Sequence, residues 1–195
     1  MKKERNAKQA FIEGTVRVVA RDGLDKTTTK AIATEAGLSE AYIYRCFEGK
    51  EALLRAAFHM EDVAFAYFLK QNLHVMHVQN ISRKDRAFQL WSASWRFILG
   101  KKDDCLFYLR YYYSANCRTY AYEEHLQCFQ ELFAAMEQAF KPEANLTCCF
   151  IRFLTRCCLL PQESLAVRCR MMMRPHSGHL NRYTALLYLT FVRSF

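Results

Sequence analysis

The chain has 195 residues, 28 Lys and Arg against 19 Asp and Glu, and a formal charge of +9. Hydrophobic residues make up 52%, while 6 Gly and 3 Pro are too few to punctuate a small all-β sandwich or barrel. No apolar run reaches the roughly 18–20 residues of a membrane span, and the charged opening MKKERNAKQAF lacks an export signal's apolar segment. An all-α, cytoplasmic protein is predicted.

From Asn6 to Arg21 the residues Ala7, Phe11, Ile12, Val16, Val18 and Val19 recur at helical spacing, behind a basic arm of Lys2, Lys3, Arg5 and Lys8. Gly23 stands where a left-handed cap would end that helix. Thr27-Thr28-Thr29 supplies hydroxyl caps for a short second helix, 30–36, with Ala31, Ile32, Ala33 and Ala36 inward. Gly37-Leu38-Ser39 then reads as a turn, a plug and a cap for a third helix, 40–47. Glu48-Gly49 breaks the chain before a long fourth helix begins at Lys50. Two short helices joined by such a Gly-containing turn form a helix-turn-helix, and Ala33 and Ala36 are small enough to let helices cross closely.

The run GLDKTTTKAIATEAGLSEAYIYRCFEGKEALL resembles the N-terminal domain of the TetR/AcrR family of bacterial transcriptional regulators. The matching positions are Gly23, Thr27-Thr28, Ile32-Ala33, Ala36-Gly37, Ser39, Tyr44, Phe47, Lys50-Glu51 and Leu53-Leu54, and the resemblance covers about residues 7–55. Cys46 departs from the His or Tyr usual before the Phe. The resemblance implies that helix 40–47 enters the major groove of double-stranded DNA. Glu40, Ala41, Tyr42 and Arg45 would then lie at or beside base edges, Arg45 able to pair with guanine, with Ser39 among the DNA-binding residues at the helix start. Tyr44, Lys50, Thr27 and Thr28 would meet phosphates. For Tyr42, half-exposed packing is an equal alternative; Ile43 and Phe47 are expected in the core.

Residues 51–80 read as a helix leaving this unit. Ser82 and Asp85 form a capping box for a helix ending at Gly100, with Phe88, Trp91, Trp95 and Ile98 as one stripe. Asp103 or Asp104 caps the next, which carries Leu106 to Tyr113. A long amphipathic helix is expected from about Thr119 to Phe140. The predicted organisation is a helix-turn-helix domain at 1–55 and a larger helical ligand-binding and dimerisation domain at 56–195.

The aromatic-rich middle suits a pocket for an apolar or aromatic small-molecule effector, with Trp91, Trp95, Tyr108, Tyr111 and Tyr112 as candidate lining. The alternative is that these rings are core. By resemblance, the protein forms a homodimer through its last two long helices.

Charge adds little to the argument. Residues 1–60 hold 11 basic and 8 acidic residues, 61–140 hold 9 of each, and 141–195 hold 8 and 2. Most of the excess therefore lies far from the helix-turn-helix. The segment after about 157 is atypical: from Pro142 on there are 7 Arg and no Lys, and Pro161 and Pro175 interrupt any long helix. Two readings stay open there, a loop with a closing helix at 183–192 or a change of coding frame near 155–160. A weak dimer follows from either.

Nine cysteines without a CxxC pair indicate thiols, and neither Cys148-Cys149 nor Cys157-Cys158 has a partner pair at zinc spacing. No metal and no cofactor are expected. An enzyme pairing a thiol with His74, His77 or His125 competes only weakly, since no catalytic motif or nucleotide loop occurs, and the predicted protein is not an enzyme. A helical DNA-binding module without an inducer is the other alternative.

Overall fold

The computed structural model describes residues 2–137, apart from 73, 76 and 77. Eight helices are described: α1 Lys2–Asp22, α2 Thr29–Ala36, α3 Glu40–Cys46, α4 Lys50–Asn72, α5 Arg83–Gly100, α6 Lys102–Tyr112, α7 Ala115–Tyr120 and α8 Tyr122–Glu137. No described residue lies in a strand, and no described helix is long and apolar enough to cross a membrane. The expectations for the segment after 157, including the helix at 183–192 and the interruptions at Pro161 and Pro175, lie outside the described residues.

The described chain divides into two compact units. The first comprises residues 1–69 and 101–131, so it holds the whole 1–55 segment together with most of α4, the helices α6 and α7, and α8 as far as Glu131. The second contains, of the described residues, 70–100 and 132–137.

In the first unit, Phe11, Val18, Ile32, Ala33, Ile43 and Leu53 form a buried cluster drawn from α1 to α4. Leu38, Tyr42, Cys46 and Phe47 pack around it half-buried, so the plug at Leu38 does what its position suggested. Burial of branched and aromatic side chains at about 25 cal/mol per Å² is what holds such short helices together, since helices of seven or eight residues are not stable alone. Gly14 explains how closely α1 and α2 approach. A Cβ there would meet the Ile32 carbonyl at 3.3 Å and the Ala36 Cβ at 3.4 Å. Glu35 of α2 accepts from Arg17 Nε at 2.8 Å and from Arg21 Nη1 at 3.0 Å of α1. Those guanidinium bonds hold the Glu35 carboxyl below its ordinary pKa.

In the second unit, α5 opens on the expected box. Ser82 Oγ accepts from the Asp85 amide at 3.1 Å and donates to its carboxylate at 2.6 Å. The buried side of α5 includes Trp95 and Ile98 of the expected stripe together with Leu90 and Ser94, whereas Phe88 is 40% exposed. The Ser94 hydroxyl is satisfied by the Leu90 carbonyl at 2.9 Å, which lets a polar residue share that face.

Two boundaries differ from the sequence reading. Lys101, rather than Asp103 or Asp104, occupies the cap of α6, and its ammonium holds Asp104 in the first turn at 2.7 Å. The long helix expected from about Thr119 is α8, which starts at Tyr122, while Thr119 and Tyr120 end a separate short helix, α7. Ser114 caps α7 by accepting from the Cys117 amide, and Ala121 leaves helical geometry at φ −128°, ψ −13°.

Candidate nucleic-acid interface

The turn between α2 and α3 is set by backbone chemistry. Thr28 caps α2, its hydroxyl accepting from the Ala31 amide at 3.1 Å. Gly37 closes the helix at φ 67°, a left-handed conformation that side chains disfavour. The Leu38 amide then reaches the Ala33 carbonyl at 3.0 Å, turning the chain into α3.

Ile43 is wholly buried, and that single anchor fixes how α3 is turned. Ala41, Tyr44 and Arg45, at helical spacing, are left exposed on one face. Tyr44 is 59% exposed, unusual for a ring of that size. Tyr42 is half-buried, its ring centroid 6.3 Å from that of Phe11. The Arg45 guanidinium lies 5.1 Å from the centre of the Tyr42 ring. That stacking limits the freedom of Arg45 while leaving its donors available.

Ser39 stands at the cap position of α3 and is exposed, but its hydroxyl makes no capping bond, contrary to the expected role. Instead Glu40 is bound from outside its helix. Thr29 Oγ1 at the start of α2 donates to Glu40 Oε1 at 2.5 Å. This tie joins the first turns of both helices. Thr29 was legible only as one of three threonines, and nothing in the spacing singles it out.

Thr27 is a correction. It is 1% exposed, its hydroxyl donates to the Gly23 carbonyl at 2.6 Å, and its amide reaches the Leu24 carbonyl at 3.2 Å. It holds the loop after α1 and offers no hydroxyl to a phosphate. Thr28 remains exposed with a hydroxyl hydrogen to donate. Lys50 is half-buried at the first position of α4, beside helix-terminal amides that lack intrahelical partners.

Thr28, Ser39, Ala41, Tyr44, Arg45 and Lys50 thus offer hydroxyl, methyl, phenol and cationic groups from adjoining helix starts and one face of α3. Such a set matches the edges and phosphates of a duplex.

The candidate effector residues separate. Tyr108 and Tyr111 are fully buried in the first unit, and Tyr112 is half-buried beside them. Tyr108 stacks on Phe58 at 4.9 Å and meets Phe65 edge-on at 4.7 Å. Its hydroxyl donates to Asp62 Oδ1 at 3.0 Å, and burial beside that carboxylate raises its pKa well above the ordinary value. His125 Nδ1 lies 2.9 Å from the same Asp62 oxygen. Five aromatic rings, those of Phe58, Tyr108, Tyr112, Tyr122 and Phe129, surround this imidazole with centroids 5.1–6.4 Å away. Trp95 is buried in the second unit, and the Trp91 side chain lies outside the described residues.

Thiol chemistry finds no support among the described residues. Burial pushes the Cys117 thiol up to about 12, and burial raises Cys128 as well. Protonated thiols are poor nucleophiles. His125 is paired with a carboxylate rather than a thiol, and His77 lies outside the described residues. No group of three or more metal-ligating side chains occurs among the described residues.

Comparison with known proteins returns the same segment. Residues 11–57 match the family model described as bacterial regulatory proteins, tetR family. Over 50 residues the chain is 38% identical to the HTH-type nicotine-responsive transcriptional repressor HdnoR of Paenarthrobacter nicotinovorans. That alignment covers 26% of this chain and spans about a quarter of the repressor's length (26%). Two solved structures share the fold over nearly the full chain. A TetR family transcription regulator from Marinobacter aquaeolei superposes with a TM-score of 0.64 at 20% identity, covering 99% of this chain and 97% of its own. A TetR-family regulator from Haemophilus influenzae gives 0.65 at 17% identity, with 97% and 98% covered.

Proposed function

We propose that this chain, a member of the TetR family of bacterial regulatory proteins by its N-terminal domain, represses transcription by binding a near-palindromic operator as a homodimer. The observation that carries this reading is the orientation of α3, with Ile43 buried and Ala41, Tyr44 and Arg45 exposed on one face. In this reading Arg45 donates to a guanine edge and Ala41 meets a thymine methyl. Tyr42 and Glu40 flank them, and Glu40 positions α3 through Thr29. Tyr44, Thr28, Ser39 and Lys50 meet phosphates, which fix register without reading sequence. Residues 1–55 do the reading, 56–195 carry ligand control and dimerisation, and the protein works in the cytoplasm.

The same reading includes a small apolar or aromatic effector bound outside the helix-turn-helix. An effector releases DNA only if it binds the DNA-incompetent arrangement more tightly. A homodimer must hold its two recognition helices about 34–36 Å apart to meet successive major grooves, and a change in that separation is the natural means of release. Sedimentation with a duplex found by selection tests the stoichiometry. Two chains per duplex support this reading, and a single chain bound with full sequence preference overturns the dimeric part.

A further inference from the structure

A concave site within the first unit is lined from α1, α3, α4 and α8. It is a groove of about 550 Å³, within the range of roughly 300–1,000 Å³ common for small-ligand sites. Its cations come from three helices, Lys8 of α1, Arg45 of α3 and Arg55 of α4, and the His59 imidazole of α4 lies among them. Glu48 and Glu124 also line it.

The groove's Lys8, Arg45 and Arg55 are exposed and carry no carboxylate partner among the described residues, unlike three other cations of the unit. Arg17, Arg21 and Lys101 are each held by carboxylates. Lys8, Arg55 and His59 make no ion pair or side-chain hydrogen bond with any described residue. Ala52, Arg55, Ala56 and His59 share one face of α4 at helical spacing. The two alanines therefore leave the space between two basic side chains open and apolar.

We infer that this groove binds a small organic anion, a single carboxylate or phosphate on a compact apolar body. The anionic group would be met by Lys8, Arg55 and His59, and the body would rest on Ala52 and Ala56. Charge-assisted bonds to such groups are the strong kind, and Arg55 offers a bidentate fork. A polyanionic DNA backbone fits less well, because Glu48 and Glu124 line the same groove and would repel a continuous run of phosphates. Tyr44 and Arg45 line the groove and also belong to the exposed face of α3. A ligand bound here touches the reading helix directly and opposes DNA binding, independently of any effector bound elsewhere.

Benzoate is the minimal probe that combines both parts, with benzamide as its uncharged analogue and inorganic phosphate as an anion without a body. Each is titrated into the full-length protein while the imidazole resonances of His59, assigned with His59→Gln, are followed by NMR. Saturable shifts with benzoate and none with benzamide are expected. The double variant Lys8→Gln/Arg55→Gln should weaken benzoate binding by about tenfold or more, roughly 1.4 kcal/mol. Ala56→Leu should abolish binding while leaving circular dichroism and the thermal midpoint unchanged. Equal binding of benzoate and benzamide, or of benzoate and free phosphate, overturns the inference. So does benzoate binding that survives loss of both cations. If benzoate never saturates and the double variant instead weakens duplex DNA uniformly, the cations serve the DNA backbone and the inference is wrong.

Discussion

The Tyr111 hydroxyl donates to Glu51 Oε1 at 2.5 Å, tying α6 to the first turn of α4 one residue after Lys50. Asn116 of α7 donates to the other oxygen of the same carboxylate. One residue before Tyr111, Arg110 Nη1 donates to the Val19 carbonyl near the end of α1. Helices α6 and α7 therefore hold the helix-turn-helix at two points. A shift of α6 would reach the end of α1 and the first turn of α4 directly.

If that grip is mechanical as well as structural, Tyr111→Phe should cost about 1–3 kcal/mol, the range for a hydrogen bond to a charged group. Glu51→Gln should cost a similar amount, and the double variant less than the sum, giving a coupling of about 0.5–3 kcal/mol. Urea unfolding of the four proteins measures this. Strict additivity would show that the bond carries no energy.

Base reading and phosphate contact separate by their signatures. Arg45→Ala should lose about 1–3 kcal/mol on the preferred duplex and change the preferred base at one position. Lys50→Ala should weaken all duplexes alike and reduce the slope of log affinity against log salt by about one. Fluorescence anisotropy across a salt series checks both. An Arg45→Ala protein with unchanged preference would remove Arg45 from the readout.

The residues that make the turn were legible because each does local work. Gly37 needs a left-handed backbone, Thr28 caps its own helix, and Ile43 is the one branched aliphatic residue of α3. Ser82 and Asp85 were legible for the same reason. What escaped depends on contacts distant along the chain. Thr27 and Thr28 look alike in sequence, yet one hydroxyl turns inward to Gly23 and the other caps α2. The Thr29–Glu40 bond, the Asp62–His125 pair and the grip on Glu51 join residues 11, 63 and 60 apart, and no periodicity reports them. The break at Ala121 carries neither Gly nor Pro, so the amphipathic pattern reads straight through it.

Stability should depend on pH through Glu61. This carboxyl is 2% exposed, and its pKa is raised from 4.5 to about 7 by burial, with Asp104 adding to the shift. Below about pH 4.5 it is protonated in both folded and unfolded chains. Between there and pH 7 the folded chain holds a proton that the unfolded chain releases, so stability falls as pH rises through this window. Glu61→Gln should therefore be more stable than the parent above pH 7, by up to about 3 kcal/mol, and equal to it below pH 4.5. Chemical unfolding at several pH values checks the crossover. A difference constant with pH would contradict it.

The Asp62 carboxylate is 1% exposed and receives both Tyr108 and His125. Removing one partner of such a buried pair costs about 3–5 kcal/mol, so Asp62→Ala should fall in that range. His125→Asn can place an amide nitrogen where Nδ1 donates, whereas His125→Gln extends past it. The Asn variant should be the more stable of the two by thermal unfolding. The reverse order would show that packing, rather than the bond to Asp62, sets the need for histidine.

Selection from a random duplex pool by the full-length protein tests the central claim most directly. Enrichment of a near-palindromic site whose half-sites lie about one helical turn apart, with the enrichment altered by Arg45→Ala, is the predicted result. Recovery of duplexes with no common sequence, bound equally by parent and Arg45→Ala proteins, would contradict it.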